Sequence, residues 1–183
     1  MITTDRYGEF SEATRIVKAL YQAPGIELGC GNAPHTRDLP EMTFADLITR
    51  QNPPGDMITM DILEAPERFS DKKFGVIYML DVVEHLYRLP ALKLLSELEK
   101  ITERIVIFTP LGELWMEKET GPSGHHSAWL PSDFEAIGYT TWSWPIYHNF
   151  GEGKTHGAFW AWKDMGLNTP SVEMIAHAAE VEL

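Results

Sequence analysis

Two glycines follow a short predicted strand, and they are the first residues in this sequence that could form a binding site. Gly29 ends the predicted strand at 26–29, which also contains Glu27. Cys30 and Gly31 follow it. Glycine adopts positive φ angles easily and lets a ligand approach the backbone closely. A strand followed by a glycine turn is typical of nucleotide-type sites at the carboxyl end of a parallel sheet.

Three further carboxylates stand where predicted strands end. Asp46, Asp61 and Asp81 each follow an apolar run. Because parallel strands point the same way, these three side chains should meet at one rim of a sheet. One carboxylate can accept hydrogen bonds from both hydroxyls of a ribose, and an acidic rim suits a cationic ligand. For Asp61 a simple turn cap is an open alternative.

Histidines supply the candidates for proton transfer. His125 and His126 lie in a long connection at 111–130, and a histidine there could accept a proton from a hydroxyl or an amine. A loop histidine bonded to the backbone is the alternative for either residue. Glu84 and His85 either serve the turn after a strand or belong to a divalent-metal site, and the sequence shows too few ligands for us to assign a metal.

The elements that must position these residues alternate between short apolar runs and helical segments, which favours an α/β fold. Predicted strands lie at 26–29, 42–47, 57–62, 74–80, 105–108, 140–147 and 158–162. Helices are predicted at 11–21, from residue 90 and at 133–137, and in the tail. A helix at 32–40 would be short. The last two strands carry alternating tryptophans around a turn at 151–153, which indicates an antiparallel pair.

Composition narrows the function classes. The chain has 183 residues, the size of one domain, and 15 basic against 27 acidic residues give a net charge of −12. This charge argues against sequence-independent binding to nucleic acid. A single cysteine excludes an internal disulfide. We see no signal peptide and no apolar run near the roughly 20 residues that span a bilayer, so we expect a cytoplasmic protein without a membrane partner.

The ordered set of motifs resembles the class I S-adenosylmethionine-dependent methyltransferases over the whole chain. Their first motif, an acidic residue followed by three spaced glycines, corresponds to Glu27, Gly29 and Gly31, with Ala33 at the third glycine position. The stretch at 81–86 reads D-V-V-E-H-L, which is common in that superfamily. Further matches are Thr109-Pro110 after the fifth strand, and a late pattern made by the His-Ser-Ala-Trp stretch at 126–129, Asp133-Phe134 and Gly138-Tyr139.

This resemblance implies a cofactor and a set of residues that hold it. The cofactor is S-adenosylmethionine, and S-adenosylhomocysteine is its product. The resemblance implies that Asp46 binds the ribose, that Asp61 contacts the adenine amino group with Ile62 beside the ring, and that Tyr7 folds over the cofactor. The full expected cofactor set is Tyr7, Glu27, Gly29, Cys30, Gly31, Asp46, Leu47, Asp61, Ile62, Asp81 and Val82.

The resemblance also implies a Rossmann-like sheet of seven strands, mostly parallel, with helices on both faces and an antiparallel C-terminal pair. We expect one domain, 1–183, with an N-terminal helical cap at 1–24, a substrate-side loop at 111–130 and a C-terminal helix at 168–183. The expected reaction moves a methyl group to an oxygen or nitrogen atom of a small molecule or sugar, with no nucleic-acid partner. His126, or its neighbour His125, is the expected catalytic base.

Two alternatives remain at this point. A non-catalytic module that binds the cofactor or a partner could use the same fold, because fold does not determine function. A nicotinamide-dependent oxidoreductase is disfavoured, because Pro34 stands where the dinucleotide fingerprint needs its third glycine. The sequence does not predict the methyl acceptor itself or the oligomeric state.

Overall fold

The computed structural model describes residues 6–33, 35–48, 53–112, 121, 124–149, 155–166, 172–174 and 177, and the side chains of α1 from residue 12 onward. The helices are α1 (Arg6–Leu20), α2 (Ala65–Arg68), α3 (Arg88–Leu98) and α4 (Pro131–Glu135). The strands are β1 (Gly25–Leu28), β2 (Met42–Asp46), β3 (Ile58–Thr59), β4 (Val76–Leu80), β5 (Arg104–Pro110), β6 (Thr140–Asn149) and β7 (Thr155–Asp164). Two 3-10 turns lie at Ile62–Glu64 and Val83–His85.

The described strands form one seven-stranded sheet in the order β3-β2-β1-β4-β5-β7-β6. The first five strands of this order, β3 to β5, are parallel to one another. Strand β7 pairs antiparallel with both β5 and β6. The predicted mostly parallel sheet with an antiparallel C-terminal pair is therefore confirmed. The strand order reverses between β1 and β4, and the crevice at such a point is where open α/β sheets bind ligands.

Helices cover both faces of the sheet, as predicted. Side chains of β4, β5 and β7 alternate between two cores, because successive residues of a strand point to opposite faces. One core packs the sheet against α2, α3 and α4, and the other packs it against α1. The second core also contains the fully buried Trp160 and Trp162, with Trp142 and Trp144 packed against it. These four tryptophans are sheet packing, not a binding cage.

The connection between β1 and β2 contains no helix in its described residues. These residues, 29–33 and 35–41, form turns. This agrees with the polar, proline-bounded sequence of the segment. The short helix α2 and the two 3-10 turns were not predicted, because none of them is long enough to show helical periodicity. They follow the ends of β3 and β4, where the candidate site residues lie.

The predicted subdivisions of the chain remain predictions, because much of each lies outside the described residues. In the expected cap, α1 packs on the sheet through Ile16, Val17 and Leu20. Of the expected substrate-side loop, 111–112, 121 and 124–130 are described. Of the expected C-terminal helix, 172–174 and 177 are described as helical. Within the described residues, no helix combines the length and the apolar character needed to cross a membrane.

Candidate functional site

The glycine turn after β1 is built from left-handed backbone. Gly29 has φ of +71° and Gly31 has φ of +50°. A Cβ added to Gly29 would lie 2.6 Å from Cγ2 of Val82, so a side chain at that position would clash with the segment after β4. Ala33, at the third glycine position of the motif, also has a positive φ, +44°. Left-handed backbone therefore occurs at Ala33 as well as at the two glycines.

Asp46 holds this glycine turn from the end of β2. Its Oδ2 accepts a hydrogen bond from the Gly31 N–H at 2.8 Å, and its Oδ1 accepts one from the Ile48 N–H at 2.8 Å. The carboxylate is buried. A carboxylate oxygen can accept more than one hydrogen bond, so Asp46 could also accept a ligand hydroxyl. The structure thus adds a second task, holding the turn, to the ribose contact expected from the sequence.

Glu27 lies in β1 beneath the turn and is only 2% exposed. It accepts a hydrogen bond from the Thr36 hydroxyl, which ties β1 to the β1–β2 connection. Burial raises the pKa of Glu27 to about 7, the Thr36 hydrogen bond opposes the rise, and the nearby Asp46 charge adds to it. Glu27 does not line the pocket described next, so its contacts assign it to ordering the turn.

A pocket of about 300 Å³ opens at the carboxyl ends of β1, β2, β3 and β4. That volume is at the small end of the range for ligand sites. Seven residues of the expected cofactor set line it, and they are Gly29, Asp46, Leu47, Asp61, Ile62, Asp81 and Val82. The pocket therefore combines an apolar wall with three carboxylates on one rim.

The remaining members of the expected set do not line this pocket. Gly31 contributes its N–H to Asp46. Cys30 is buried and packs with Ala33 and Phe44, as a small loop residue would. The side chain of Tyr7 lies outside the described residues.

Two of the rim carboxylates also shape their own turns. Asp61 Oδ1 accepts a hydrogen bond from the Leu63 N–H at 2.9 Å, which caps the 3-10 turn Ile62–Glu64. Asp61 therefore caps this turn, as the alternative interpretation of the sequence expected, and its side chain also lines the pocket. Asp81 has φ of +53°, a conformation that aspartate tolerates better than most residues. Backbone geometry of this kind at a pocket is typical of functional positions.

Beside the pocket, Glu84, His85 and His125 come together. One ligand atom from each lies within 4.8 Å of the others, so the three could hold a metal ion. The rings of His85 and His125 meet edge to face at 4.9 Å. The Thr109 hydroxyl donates to Glu84 Oε2 at 2.9 Å. Because His85 also lines the pocket, this cluster and the pocket share a wall.

Burial controls the charges in this cluster. Burial raises the pKa of Glu84 well above its usual range, and the neighbouring Asp81 charge raises it further. Desolvation also raises the pKa of Asp81, but Asp81 is exposed at the pocket mouth, so we place the proton of this coupled pair on Glu84. Burial lowers the pKa of His125 to about 4, followed in size by the charges of His85 and two other histidines. His125 is therefore neutral near pH 7.

The segment that carries the histidines is bound to the 3-10 turn Val83–His85. The backbone N–H groups of His126 and Ser127 both donate to the Glu84 carbonyl, at 2.7 and 3.0 Å. The Ser127 hydroxyl and Trp129 Nε1 both donate to the Val83 carbonyl. His125 and His126 then point in opposite directions, as neighbours in extended backbone do. His125 faces Glu84 and His85, whereas His126 stacks on Tyr87 with ring centroids 4.8 Å apart.

Comparison with known proteins was made at three levels. No family model matches the sequence. No curated protein matches it either. Solved structures do match. A methyltransferase from Archaeoglobus fulgidus is 18% identical, with a TM-score of 0.60 over 96% of this chain and 85% of that chain. The methyltransferase domain of the bacterial protein CtHen1 is 13% identical, with a TM-score of 0.58 over 88% of this chain and 100% of that one.

A third match carries the cofactor in its crystals. Magnesium protoporphyrin IX methyltransferase from Synechocystis, with bound S-adenosylmethionine, is 12% identical and has a TM-score of 0.55 over 87% of this chain and 81% of that one. Together with the strand order and the glycine turn, these matches decide the fold. This chain has the class I methyltransferase fold. The resemblance seen in the sequence is therefore confirmed at the level of the fold.

One prediction about partners is corrected by the same comparison. The prediction allowed a small molecule or sugar as acceptor and excluded nucleic acid. Two CtHen1 structures and the small RNA methyltransferase HEN1 share the fold, the last with a TM-score of 0.51, 14% identity, and coverage of 83% of this chain and 25% of that chain. Exclusion of nucleic acid was therefore wrong. Net charge governs long-range, non-specific attraction and does not report on a local acceptor site.

The sequence did not predict several residues that lie at the site. Ile48, Leu63 and Leu86 line the pocket. Each lies within two residues of a predicted site position, so proximity to a strand end was the available signal. Thr109 was quoted only as part of a motif, and its bond to Glu84 spans 25 positions. No local pattern could have revealed that bond.

Proposed function

We propose that this protein transfers a methyl group from S-adenosylmethionine to an acceptor and releases S-adenosylhomocysteine. The observation that carries the proposal is the pocket at the carboxyl ends of β1–β4, with Gly29 at its floor and Asp46, Asp61 and Asp81 on its rim. The cofactor has a cationic sulfonium, a ribose diol and a flat adenine. An acidic rim above an apolar wall complements all three groups.

Each pocket residue has a proposed task. Asp46 accepts hydrogen bonds from the ribose hydroxyls in addition to those from the Gly31 and Ile48 N–H groups. Asp61 accepts from the adenine amino group with the oxygen that is not bonded to the Leu63 N–H. The adenine ring lies against the apolar side chains that flank the rim, and they are Leu47, Ile62, Leu63 and Val82. Asp81 faces the cationic end, where an ionised carboxylate is favoured.

The acceptor side of the reaction belongs to Glu84, His85 and His125. We propose an oxygen or nitrogen nucleophile, aligned in line with the sulfonium, so that most of the rate comes from positioning. Burial lowers the pKa of His125, so its ring is neutral near pH 7 and has an unprotonated nitrogen that can accept the proton the nucleophile loses. Our first candidate for this role, His126, stacks on Tyr87 instead and is proposed as part of the wall. If a divalent cation occupies the cluster, Glu84, His85 and His125 would be its ligands.

Cofactor binding is the direct test. In calorimetry, the purified protein should bind S-adenosylhomocysteine, and Asp46→Ala should weaken this binding by roughly 10- to 150-fold. Asp71→Ala is the control and should bind as the parent does, because Asp71 is exposed in the turn before β4 and does not line the pocket. Absence of heat with either form of the cofactor would remove the proposal. An Asp46→Ala variant with unchanged affinity would place the ribose contact elsewhere.

A turnover assay separates an enzyme from a module that only binds the cofactor. Radiolabelled S-adenosylmethionine should be incubated with pooled small molecules and, separately, with short RNAs, because the acceptor class is open. His125→Ala should lower turnover by roughly 10²–10⁴-fold while leaving cofactor affinity nearly unchanged. The same assay after chelation and with added Mn²⁺ shows whether a cation takes part. Cofactor binding without turnover on any acceptor would favour the non-catalytic module.

A further inference from the structure

An aromatic pair, Tyr87 and His126, lies next to the Glu84–His85–His125 cluster, and the function proposed above gives Tyr87 no role of its own. Tyr87 is 65% exposed, an unusual degree for a large aromatic side chain in a folded domain. Its ring stacks on the half-buried ring of His126, with centroids 4.8 Å apart and planes inclined by 22°. One face of Tyr87 is therefore covered by His126, and the exposure lies on the rest of the ring.

Hydrogen bonds hold the ring of His126 and the backbone of Tyr87. The His126 N–H donates to the Glu84 carbonyl at 2.7 Å, and its Nε2 lies 3.1 Å from the Gly121 carbonyl oxygen. Tyr87 is the N-terminal cap residue of α3 and has extended backbone. Its carbonyl accepts the first helical bond, from the Ala91 N–H at 3.0 Å. Because Tyr87 has a fixed backbone and stacks on the held ring of His126, its ring loses less conformational freedom when a ligand stacks on its other face.

The position of the pair points to the acceptor and not to the cofactor. Tyr87 directly follows His85 and Leu86, which line the cofactor pocket. His126 directly follows His125, which belongs to the cluster with Glu84 and His85. The two rings thus lie at the outer side of the cluster, next to the pocket but outside its lining. A molecule that presents a nucleophile to the cluster would pass over them.

We propose that Tyr87, supported by His126, is a stacking platform for a flat aromatic or heteroaromatic ring of the methyl acceptor. The outer face of the tyrosine ring offers apolar area and a π-system, and a flat ring covers such a face best in an offset-stacked arrangement. Stacking of this kind tolerates many ring types, so the platform selects for flatness. The proposal rests on the proposed methyl transfer for the meaning of the acceptor, but its binding test does not.

The platform is tested by binding of paired probes, of which one has a flat aromatic ring and the other does not. The first pair is adenosine 5′-monophosphate and ribose 5-phosphate. The second pair is a short labelled oligoadenylate and an abasic strand of equal length. The third pair is catechol and cyclohexane-1,2-diol. All measurements use the full chain with saturating S-adenosylhomocysteine, so that no probe ring can enter the cofactor pocket.

Two variants and one control make the measurement specific. Tyr87→Ala removes the ring, and Tyr87→Phe keeps it and should bind as the parent does. Leu89→Ala is the control, because Leu89 is a 78% exposed residue in the first turn of α3. We expect at least one probe with a flat aromatic ring to bind more tightly than its partner without one. Tyr87→Ala should weaken that binding by roughly 5- to 150-fold.

The three pairs also identify the source of the ring. A Tyr87-dependent preference for the mononucleotide, the oligonucleotide or catechol supports the platform and assigns it to that kind of acceptor. The proposal would be overturned if the probes with and without a flat aromatic ring bound equally well. It would also be overturned if the parent and Tyr87→Ala bound the aromatic probes with equal affinity. If the protein did not bind S-adenosylhomocysteine, the proposed function would be wrong. The platform would then be tested with the same probe pairs in the absence of S-adenosylhomocysteine.

Discussion

Glu27 is the residue whose environment has the clearest consequence for stability. It is buried beneath the glycine turn, and burial raises its pKa from about 4.5 to about 7. The folded protein therefore holds a proton on Glu27 at pH values where the unfolded chain has released it. The stabilisation that this proton provides is complete below pH 4.5. It is lost as the pH rises through about 7.

The variant Glu27→Gln should remove this loss. Gln keeps an oxygen that can accept the Thr36 hydroxyl, but it does not titrate. Between pH 5 and pH 7.5, the parent should lose up to about 3 kcal/mol of unfolding free energy relative to the variant. Denaturant unfolding of both apoproteins at the two pH values measures this difference, and the contributions of histidines cancel in it. Parallel pH profiles for the two proteins would contradict the assignment.

Asp46 has a structural role that the sequence did not predict. A carboxylate at the end of the second strand was expected to face the ribose. In the structure its oxygens accept from the backbone N–H groups of Gly31 and Ile48. Removal of the carboxylate would leave these two donors without that acceptor, so Asp46→Ala should also lower the melting temperature.

At the scale of elements, the glycine turn and the segment after β4 depend on each other. Gly29 packs so closely against Val82 that a Cβ would approach its Cγ2 to 2.6 Å, whereas a Cβ at Gly31 would meet no atom within 4 Å. Both glycines have positive φ, so both substitutions to Ala carry backbone strain. Only the substitution at Gly29 adds a steric clash.

These contacts predict a difference between two matched variants. Gly31→Ala should cost about 1–2 kcal/mol of unfolding free energy from backbone strain. Gly29→Ala should cost about 2–4 kcal/mol, because overpacking adds to the strain. The double variant Gly29→Ala/Val82→Ala should recover part of that loss, which denaturant unfolding can measure. Equal destabilisation of the two single variants would show that the turn adjusts without pressing on Val82.

The 3-10 turn Val83–His85 is the element that joins the two halves of the site. Val82 on one side of it lines the pocket, and Glu84 and His85 belong to the cluster. Its carbonyls accept the bonds that position Ser127 and Trp129. These shared hydrogen bonds hold the segment at 125–129 against the turn, next to the pocket.

At the scale of the whole molecule, a buried ion pair connects the sheet to α1. Arg104 Nε in β5 donates to Asp164 Oδ1 in β7 at 2.7 Å, and the two side chains are 9% and 6% exposed. Arg104 Nη1 also donates to the Leu20 carbonyl, at the C-terminal end of α1, at 2.8 Å. One side chain thus links two antiparallel strands with the helix that covers one face.

Arg104→Leu should destabilise the protein by about 3–5 kcal/mol, because it leaves Asp164 buried without its ion-pair partner. The double variant with Asp164→Leu should recover much of this loss. Lys100→Ala, which removes the exposed pair with Glu97, should change stability by less than about 1 kcal/mol. Thermal unfolding measures all three variants. S-adenosylhomocysteine affinity should stay unchanged in them, and a parallel loss of affinity would show that the ion pair also supports the pocket.

The sequence alone determined the strands, their mixed sheet and the rim of carboxylates. Runs such as 74–80 and 105–108 are apolar throughout, and burial on both faces of a parallel sheet requires that pattern. Gly29, Asp46, Asp61 and Asp81 stand at strand ends. Parallel strands bring their carboxyl ends to one edge whatever their order, so position in the chain was enough to gather them.

Only the tertiary structure decided what each side chain does at that edge. Adjacent His125 and His126 differ in role because one packs against Glu84 and His85 and the other stacks on Tyr87. The Thr109–Glu84 bond and the bonds from Ser127 and Trp129 to Val83 join residues 25 to 46 positions apart. Such bonds form between elements that are brought together by the folding of the sheet. Local patterns of residue type carry no information about them.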